Sequence, residues 1–233
     1  MNRLFITGDK HGTFFGMTPW CKLHNTTTDD VMIILGDAGI NYYGKKRDWK
    51  LKKELSQTPI TFVCVHGNHE MRPATVEGYK KIFHPEFKCF GWIEEEYPNI
   101  FFPEDGVIFF NDTVNLILGG AYSVDKDYRL ERGWNWFPDE QMSEDTKNKI
   151  RHITDYTKSF DYIFSHTAPL KYEPSYLFLP QIDQSKVDKS MEKFLDEIEE
   201  KVQYNHWWFG HYHDDNNIGE RVTILYQTIE QLF

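Results

Sequence analysis

The chain has 233 residues and a formal net charge of −10, with 40% hydrophobic and 16% aromatic residues. That length suits one larger α/β domain or two small ones, and the apolar content excludes a disordered chain. The acidity argues against a nucleic-acid or anionic-membrane surface, and no apolar run approaches the roughly 20 residues that span a bilayer.

In chain order, three strand-like runs come first: RLFITGD, DVMIILGD and ITFVCVHGNH. Their spacing of about 30 residues is that of βαβ units, so a parallel sheet with crossover helices is expected. GWIEEEYPNIFFPEDG reads as loop, because Pro98 and Pro103 forbid a long helix. GVIFF, VNLILGG, DYIFSH, HWWFGH and VTILYQT are further strand candidates, and the apolar pairing near residues 106–118 predicts an antiparallel hairpin and a second sheet. Helices are predicted over 139–159 and 185–203. One domain over residues 1–233 is expected. The opening run MNRLFITGDK has no leader pattern, and Cys21, Cys64 and Cys89 form neither a CxxC nor an even set, so a cytoplasmic protein with reduced cysteines is expected.

Each of several predicted strands ends in a polar turn: Asp9 and His11 in GDKHG, Asp37 in GDAG, Asn68 and His69 in GNHE, His166 in FSHTAP, and His211 and His213 in GHYH. Any one of these turns occurs by chance. Ligand sites of open α/β sheets gather at the carboxyl ends of strands, so turns far apart in sequence are expected to meet. Residues i and i+2 at a strand end project to one side, which points Asp9 with His11, and His211 with His213, into one pocket. Carboxylate and imidazole without thiolate suit manganese, iron or zinc. A carboxylate has two oxygens, which makes Asp37 apt to bridge two ions.

The ordered set GDxHG, GDxG, GNHE, a lone strand-end histidine and GHxH, from Gly8 to His213, resembles the calcineurin-like metallophosphoesterase family. The resemblance implies an α/β fold, a four-layer α/β/β/α sandwich of two mixed sheets flanked by helices. It also implies two divalent metal ions, manganese first and iron or zinc as alternatives. By that resemblance Asp9, His11 and His213 hold one ion, Asn68, His166 and His211 the other, Asp37 bridges them, and His69 is the catalytic histidine. The implied activity is phosphoester hydrolysis by in-line attack of a metal-bridging hydroxide. Phosphomonoesters of proteins or small metabolites are the expected substrates. A phosphodiesterase for cyclic nucleotides, dinucleotides or nucleic-acid ends is the alternative, ahead of a metal-free scaffold of the same fold. A Rossmann reading fails because the first turn lacks GxGxxG.

The second motif departs from the GDxVDR of phosphoprotein phosphatases. It reads GDAGINYYGKKR, with Ile40 at the acid's place and Tyr42 or Tyr43 near the arginine's, so the resemblance supplies neither an orienting partner for His69 nor membership of the phosphoprotein phosphatase subgroup. Arg72, Arg129 and Arg132 are candidates for binding the substrate phosphate, with Tyr122 and Asp125 at the same rim. The competing reading pairs these arginines with nearby acids. Trp134, Trp136 and Tyr128 are read as core or lid packing, Glu70 as a loop brace, and His66 as either facing the site or supporting it. His24, His84, His152 and His206 lack a motif. Alternation turns Lys10 away from the metals, toward solvent or an acid.

Overall fold

The computed structural model describes residues 2–44 and 46–233. Four parallel strands, β1 (Leu4–Thr7), β2 (Val31–Ile34), β3 (Thr61–Cys64) and, skipping ahead, Ile100–Pro103, form the middle of a seven-stranded sheet. In chain order the intervening strands are β4 (Lys80–His84) and β5 (Cys89–Ile93), so the fourth is β6; β5 and β4 extend its side antiparallel. The six-stranded second sheet contains β7 (Gly106–Phe110), β8 (Thr113–Leu118), β9 (Ser159–Ser165), β10 (Gln203–Phe209), β11 (Asn216–Gly219) and β12 (Val222–Ile224). Strand β13 (Glu230–Gln231) returns to pair antiparallel with β1.

The near-continuous apolar runs follow from burial on both faces of each sheet. Leu4, Ile6, Val31, Ile33 and Val63 face Ile108, Ile117, Phe164 and Trp208 of the other sheet. The alternate residues Phe5, Met32, Ile34 and Phe62 face outward, where Met17 and Cys21 of α1 (Met17–Leu23) and Leu55 of α2 (Lys46–Leu55) cover them. A short α3 (Lys126–Glu131) follows the second sheet's first hairpin. On the far side, α4 (Glu144–Tyr156) and α5 (Ser190–Lys201) supply Ile150, Leu195 and Ile198 to the outer face of β8, β9 and β10. The expected α/β/β/α layering of two mixed sheets is therefore present.

Three sequence expectations shift. Helix α4 starts late because Ser143 caps it, its hydroxyl accepting from the Thr146 amide at 3.2 Å. Residues 184–186 form a 3₁₀ turn, so α5 begins only at Ser190. The stretch read as loop over 91–106 instead contains most of β5 and all of β6, and its prolines sit beside or at the end of strands. No described helix is long and apolar enough to cross a membrane.

Candidate metal centre

The carboxyl ends of β1, β2 and β3 in one sheet and β9 and β10 in the other lie along one edge of the sandwich, and their turns are tied together. The amides of Lys10 and His11 both donate to the Asp37 carbonyl, at 3.0 and 2.8 Å, and the Gly210 amide donates to the His166 carbonyl. Each aspartate then caps a loop from another strand. Asp9 Oδ1 accepts from the His211 amide and Asp37 Oδ1 from the His69 amide, both at 2.8 Å. Gly210 and Gly67 precede those loops by one or two residues, and a Cβ on them would lie 2.4 and 2.0 Å from the same carboxylate oxygens. Four of the turn residues, His11, Asp37, His211 and His213, hold left-handed φ values between 46° and 68°. Such backbone is costly for side-chain-bearing residues and persists where the surroundings impose it.

The donor atoms this produces crowd together. Asp9, His11 and His213 form one group, Asp9, Asp37 and His166 a second, and His11, Asp37 and His69 a third, with donors in each group within 4.8 Å of one another. His11 Nε2 and His213 Nε2 stand 2.8 Å apart, and Asp9 Oδ2 is 3.2 Å from the latter. Asn68 joins through Oδ1, 2.8 Å from His166 Nε2, and the His211 ring packs on His166 with centroids 5.0 Å apart.

Two features test whether a cation suits these donors. Asp9 Oδ2 is buried and accepts no well-aligned hydrogen bond, with His213 Nε2 at 3.2 Å, and a carboxylate so placed requires a compensating positive charge. His166 directs Nδ1 at the Leu35 carbonyl, 2.8 Å away, so that nitrogen carries the proton and Nε2 offers a lone pair. Asn68 gives its amide hydrogens to Ser123 Oγ at 2.8 Å, so its Oδ1 is also an acceptor. With the His166 ring neutral, as a metal ligand must be, two acceptors face each other at 2.8 Å with no hydrogen to share. A divalent cation resolves that conflict.

Electrostatics agree. Burial opposes ionisation of Asp9, but contact with His213 and the surrounding imidazoles outweigh it and hold the carboxyl below its usual range. Burial drives His211 well below its ordinary value, leaving a neutral ring with an available lone pair. The contact with Asp9 raises His213.

Residues 3–215 match the sequence pattern of calcineurin-like phosphoesterases. The chain belongs to that family.

Among solved structures, TT1561 of Thermus thermophilus is similar over 95% of this chain and 88% of its own, with 15% identity and a TM-score of 0.48. AQ665 of Aquifex aeolicus, titled a protein of unknown function, covers 71% of this chain and 80% of its own, at 13% identity and a TM-score of 0.27. No curated protein matches significantly.

Around the centre of this calcineurin-like phosphoesterase, His69 has neighbours that no single motif announces. Arg129 from α3 donates to His69 Nδ1 at 2.8 Å, and Asp125 Oδ1 lies 3.9 Å from Nε2. Burial lowers the His69 pKa, with Asp37 opposing that and Arg129 reinforcing it. Arg129 in turn binds Asp125 Oδ2 and reaches the Tyr42 hydroxyl at 3.2 Å. The Arg129 and Asp125 groups beside the His69 ring thus come from α3 and its N-cap position, not from the second motif. Tyr42 and Ser123 enter as partners of Arg129 and Asn68; the signal for Ser123 was its place just after strand β8, and Tyr42 had only its nearness to the second motif.

The other arginines are committed elsewhere. Arg72 donates to the Asp139 and Gln141 carbonyls and lies 3.6 Å from Asp105, while Arg132 is exposed over the Tyr128 ring. His66 lines a separate cleft with Arg72 and Asp105 and is held neutral by burial. Glu70 is a brace: its two oxygens accept from the Gly39 and Gly67 amides, and burial beside Asp37 pushes it up to about 8. Lys10 turns back to Thr7 Oγ1 and the Tyr226 carbonyl at 2.8 and 3.0 Å instead of facing solvent or an acid, and burial lowers it to about 8. His24, His84, His152 and His206 pack on neighbouring aromatic rings.

Proposed function

We propose that the protein is a dinuclear metal-dependent phosphomonoesterase. The observation that carries this reading is the set of facing acceptors: buried Asp9 Oδ2 without a well-aligned hydrogen bond, and Asn68 Oδ1 against His166 Nε2. Asp9, His11 and His213 would hold one ion and Asn68, His166 and His211 the other, with Asp37 between them. When bound, such a pair supplies Lewis acidity toward phosphate oxygens and acidifies water for in-line attack. Manganese, iron and zinc all suit these ligands.

The chain's own residues supply the rest. Arg129 holds a guanidinium beside His69 with its N–H groups engaged by Asp125, Tyr42, Asn135 and His69, so what it offers a phosphate oxygen of the ester is chiefly its positive charge. Arg129 Nη2 lies 2.8 Å from His69 Nδ1 and 3.3 Å from Nε2. With the shorter contact taken as the hydrogen bond, the proton lies on Nε2, from which it can be given to the departing alkoxide. Asp125 fixes Arg129, and the Ser123 hydroxyl fixes the rotation of Asn68.

The direct test is phosphate release from p-nitrophenyl phosphate by chelator-stripped protein resupplied with manganese, iron or zinc. Turnover restored by at least one metal is the expected result, and folded protein inactive with all three would overturn the reading. Faster release of p-nitrophenolate from bis-p-nitrophenyl phosphate than from the monoester would move the assignment to a diesterase.

A further inference from the structure

His69 stands where two clefts meet. One is walled on its far side by Leu177, Phe178, Leu179 and Ile182. The other, of about 300 Å³, leads outward from His11 and His69 between the loop after β2 and the residues after α3. Its walls carry Tyr42, Tyr43, Arg47, Arg129 and Trp134.

This second cleft has a composition that packing alone does not require. Tyr43 is 41% exposed and Trp134 52% exposed, although both are large rings next to a polar centre. The Arg47 guanidinium lies 4.1 Å from the Tyr43 ring centroid, a stacked cation. The acid in the lining, Asp48, accepts from the amides of Tyr43 and Gly44 and lies in the field of Arg47, so it offsets part of the arginine charge and leaves Arg129 the cation beside His69. The walls are also fastened to each other: Asn135 Nδ2 donates to the Tyr42 carbonyl at 2.7 Å, and Arg129 spans from His69 to the Tyr42 hydroxyl. Aromatic faces and guanidinium planes together form a surface on which a flat ring stacks.

Resting on the phosphoesterase reading, we propose that this cleft receives the leaving group of the ester and selects one that carries a planar aromatic ring, stacked on Tyr43 and Trp134. In the reaction, water oxygen bonds to phosphorus, the ester P–O bond breaks, and the departing oxygen keeps the electron pair and takes a proton. The ring then leaves by the same cleft. A nucleoside and a tyrosine side chain share this chemistry, and separate substrates distinguish them.

Initial rates on the manganese-loaded chain at limiting substrate, with a nucleoside 5′-monophosphate, phosphotyrosine, phosphoserine and glycerol phosphate, test the proposal. The nucleotide and glycerol phosphate are both alkyl esters, so their ratio is free of the better leaving-group chemistry of a phenol. The ring-bearing ester is expected to be favoured by about tenfold in kcat/KM, the scale of one stacked ring. For phosphotyrosine the readout is its rate against phosphoserine in wild type and variants. Trp134→Ala and Tyr43→Ala should lower the ring-to-non-ring ratio by about tenfold for the ring the cleft accepts, and Trp134→Phe should restore most of it. Ratios unchanged in both alanine variants would overturn the proposal. In parallel, a free nucleoside or tyrosine amide added to the metal-loaded protein should change tryptophan fluorescence in a way that Trp134→Phe removes. Hydrolysis of glycerol phosphate and phosphoserine with no ring preference would sink the ring pocket and leave the hydrolase reading standing. Ring binding without hydrolysis of any ester would overturn both the hydrolase reading and the assignment of the cleft to a leaving group.

Discussion

The histidine cluster and the aromatic cleft beside it are built from chain of different character. In the cluster, four residues hold left-handed backbone and the turns leave no room for a Cβ at Gly67 or Gly210. In the cleft, half-exposed rings hang from loops that a few hydrogen bonds around Arg129 hold together. Chemistry needs donors fixed to fractions of an ångström, and short turns at the ends of buried strands provide that rigidity. Selection among substrates tolerates softer walls, and loops provide those.

The largest expected effect lies on the rigid side. Asp9→Ala or Asp37→Ala should lower turnover by roughly a hundredfold or more, the scale of removing one charge-stabilising group from an active site. Both should also lower the metal-to-protein ratio after dialysis. A variant that keeps turnover within a few-fold of wild type would erase the contrast between the two regions.

Gly67→Ala sharpens the comparison through stability. The new Cβ would lie 2.0 Å from Asp37 Oδ1 and 2.2 Å from the Asp37 amide nitrogen, so backbone must move. A loss of about 1–3 kcal/mol is expected, as for other overpacked sites. At Gly133, near the cleft, φ is +66° but no atom lies within 4 Å of a Cβ, so Gly133→Ala meets only the left-handed penalty of about 1 kcal/mol. Denaturant midpoints of the two variants would measure the difference, and equal losses would contradict the tighter construction of the cluster.

The same division explains what could be read from the sequence. GDKHG, GDAG, GNHE, FSHTAP and GHYH are local signals, because a turn at a strand end carries its candidate ligands within a few residues. The parallel strands were legible too, since burial on both faces leaves unbroken apolar runs such as VMII and TFVC. Strand β4, by contrast, is an edge strand that begins with two exposed lysines, and β5 is interrupted by Gly91, so neither reads as a strand until paired. Arg129 was a candidate alongside Arg72 and Arg132, and nothing in the sequence separated them. The choice depends on α3 bringing residue 129 to His69 across a sequence separation of 60 residues, while Arg72 is captured by carbonyls at Asp139 and Gln141.

Arg129 joins the two regions, so its removal should act on both. Arg129→Ala takes a charged donor from His69 and a tether from Tyr42, and a fall of about 10- to 100-fold in kcat/KM is expected, the range for hydrogen bonds to charged groups. Arg129→Lys keeps the charge without the planar fork and should recover only part. Steady-state kinetics on one monoester check both variants. Full activity in Arg129→Ala would show that His69 needs no partner from α3.

An effect on stability alone, felt only as pH changes, concerns the floor of the other cleft. Glu192 is 3% exposed, receives the Thr167 hydroxyl at 3.1 Å, and has a second oxygen without a hydrogen-bond partner. Burial lifts its pKa from 4.5 to about 7. Because the folded value is the higher one, its contribution to stability is fully present below about pH 4.5, is lost as pH rises through about 7, and changes no further above that. Urea midpoints of wild type should therefore fall between about pH 5 and pH 8 by more than those of Glu192→Gln, with a difference on the order of 2 kcal/mol. Taking the difference between the two proteins cancels the groups that they share. Parallel pH profiles would mean that Glu192 is hydrated, and the wall of the apolar cleft would then be as open as that of the aromatic one.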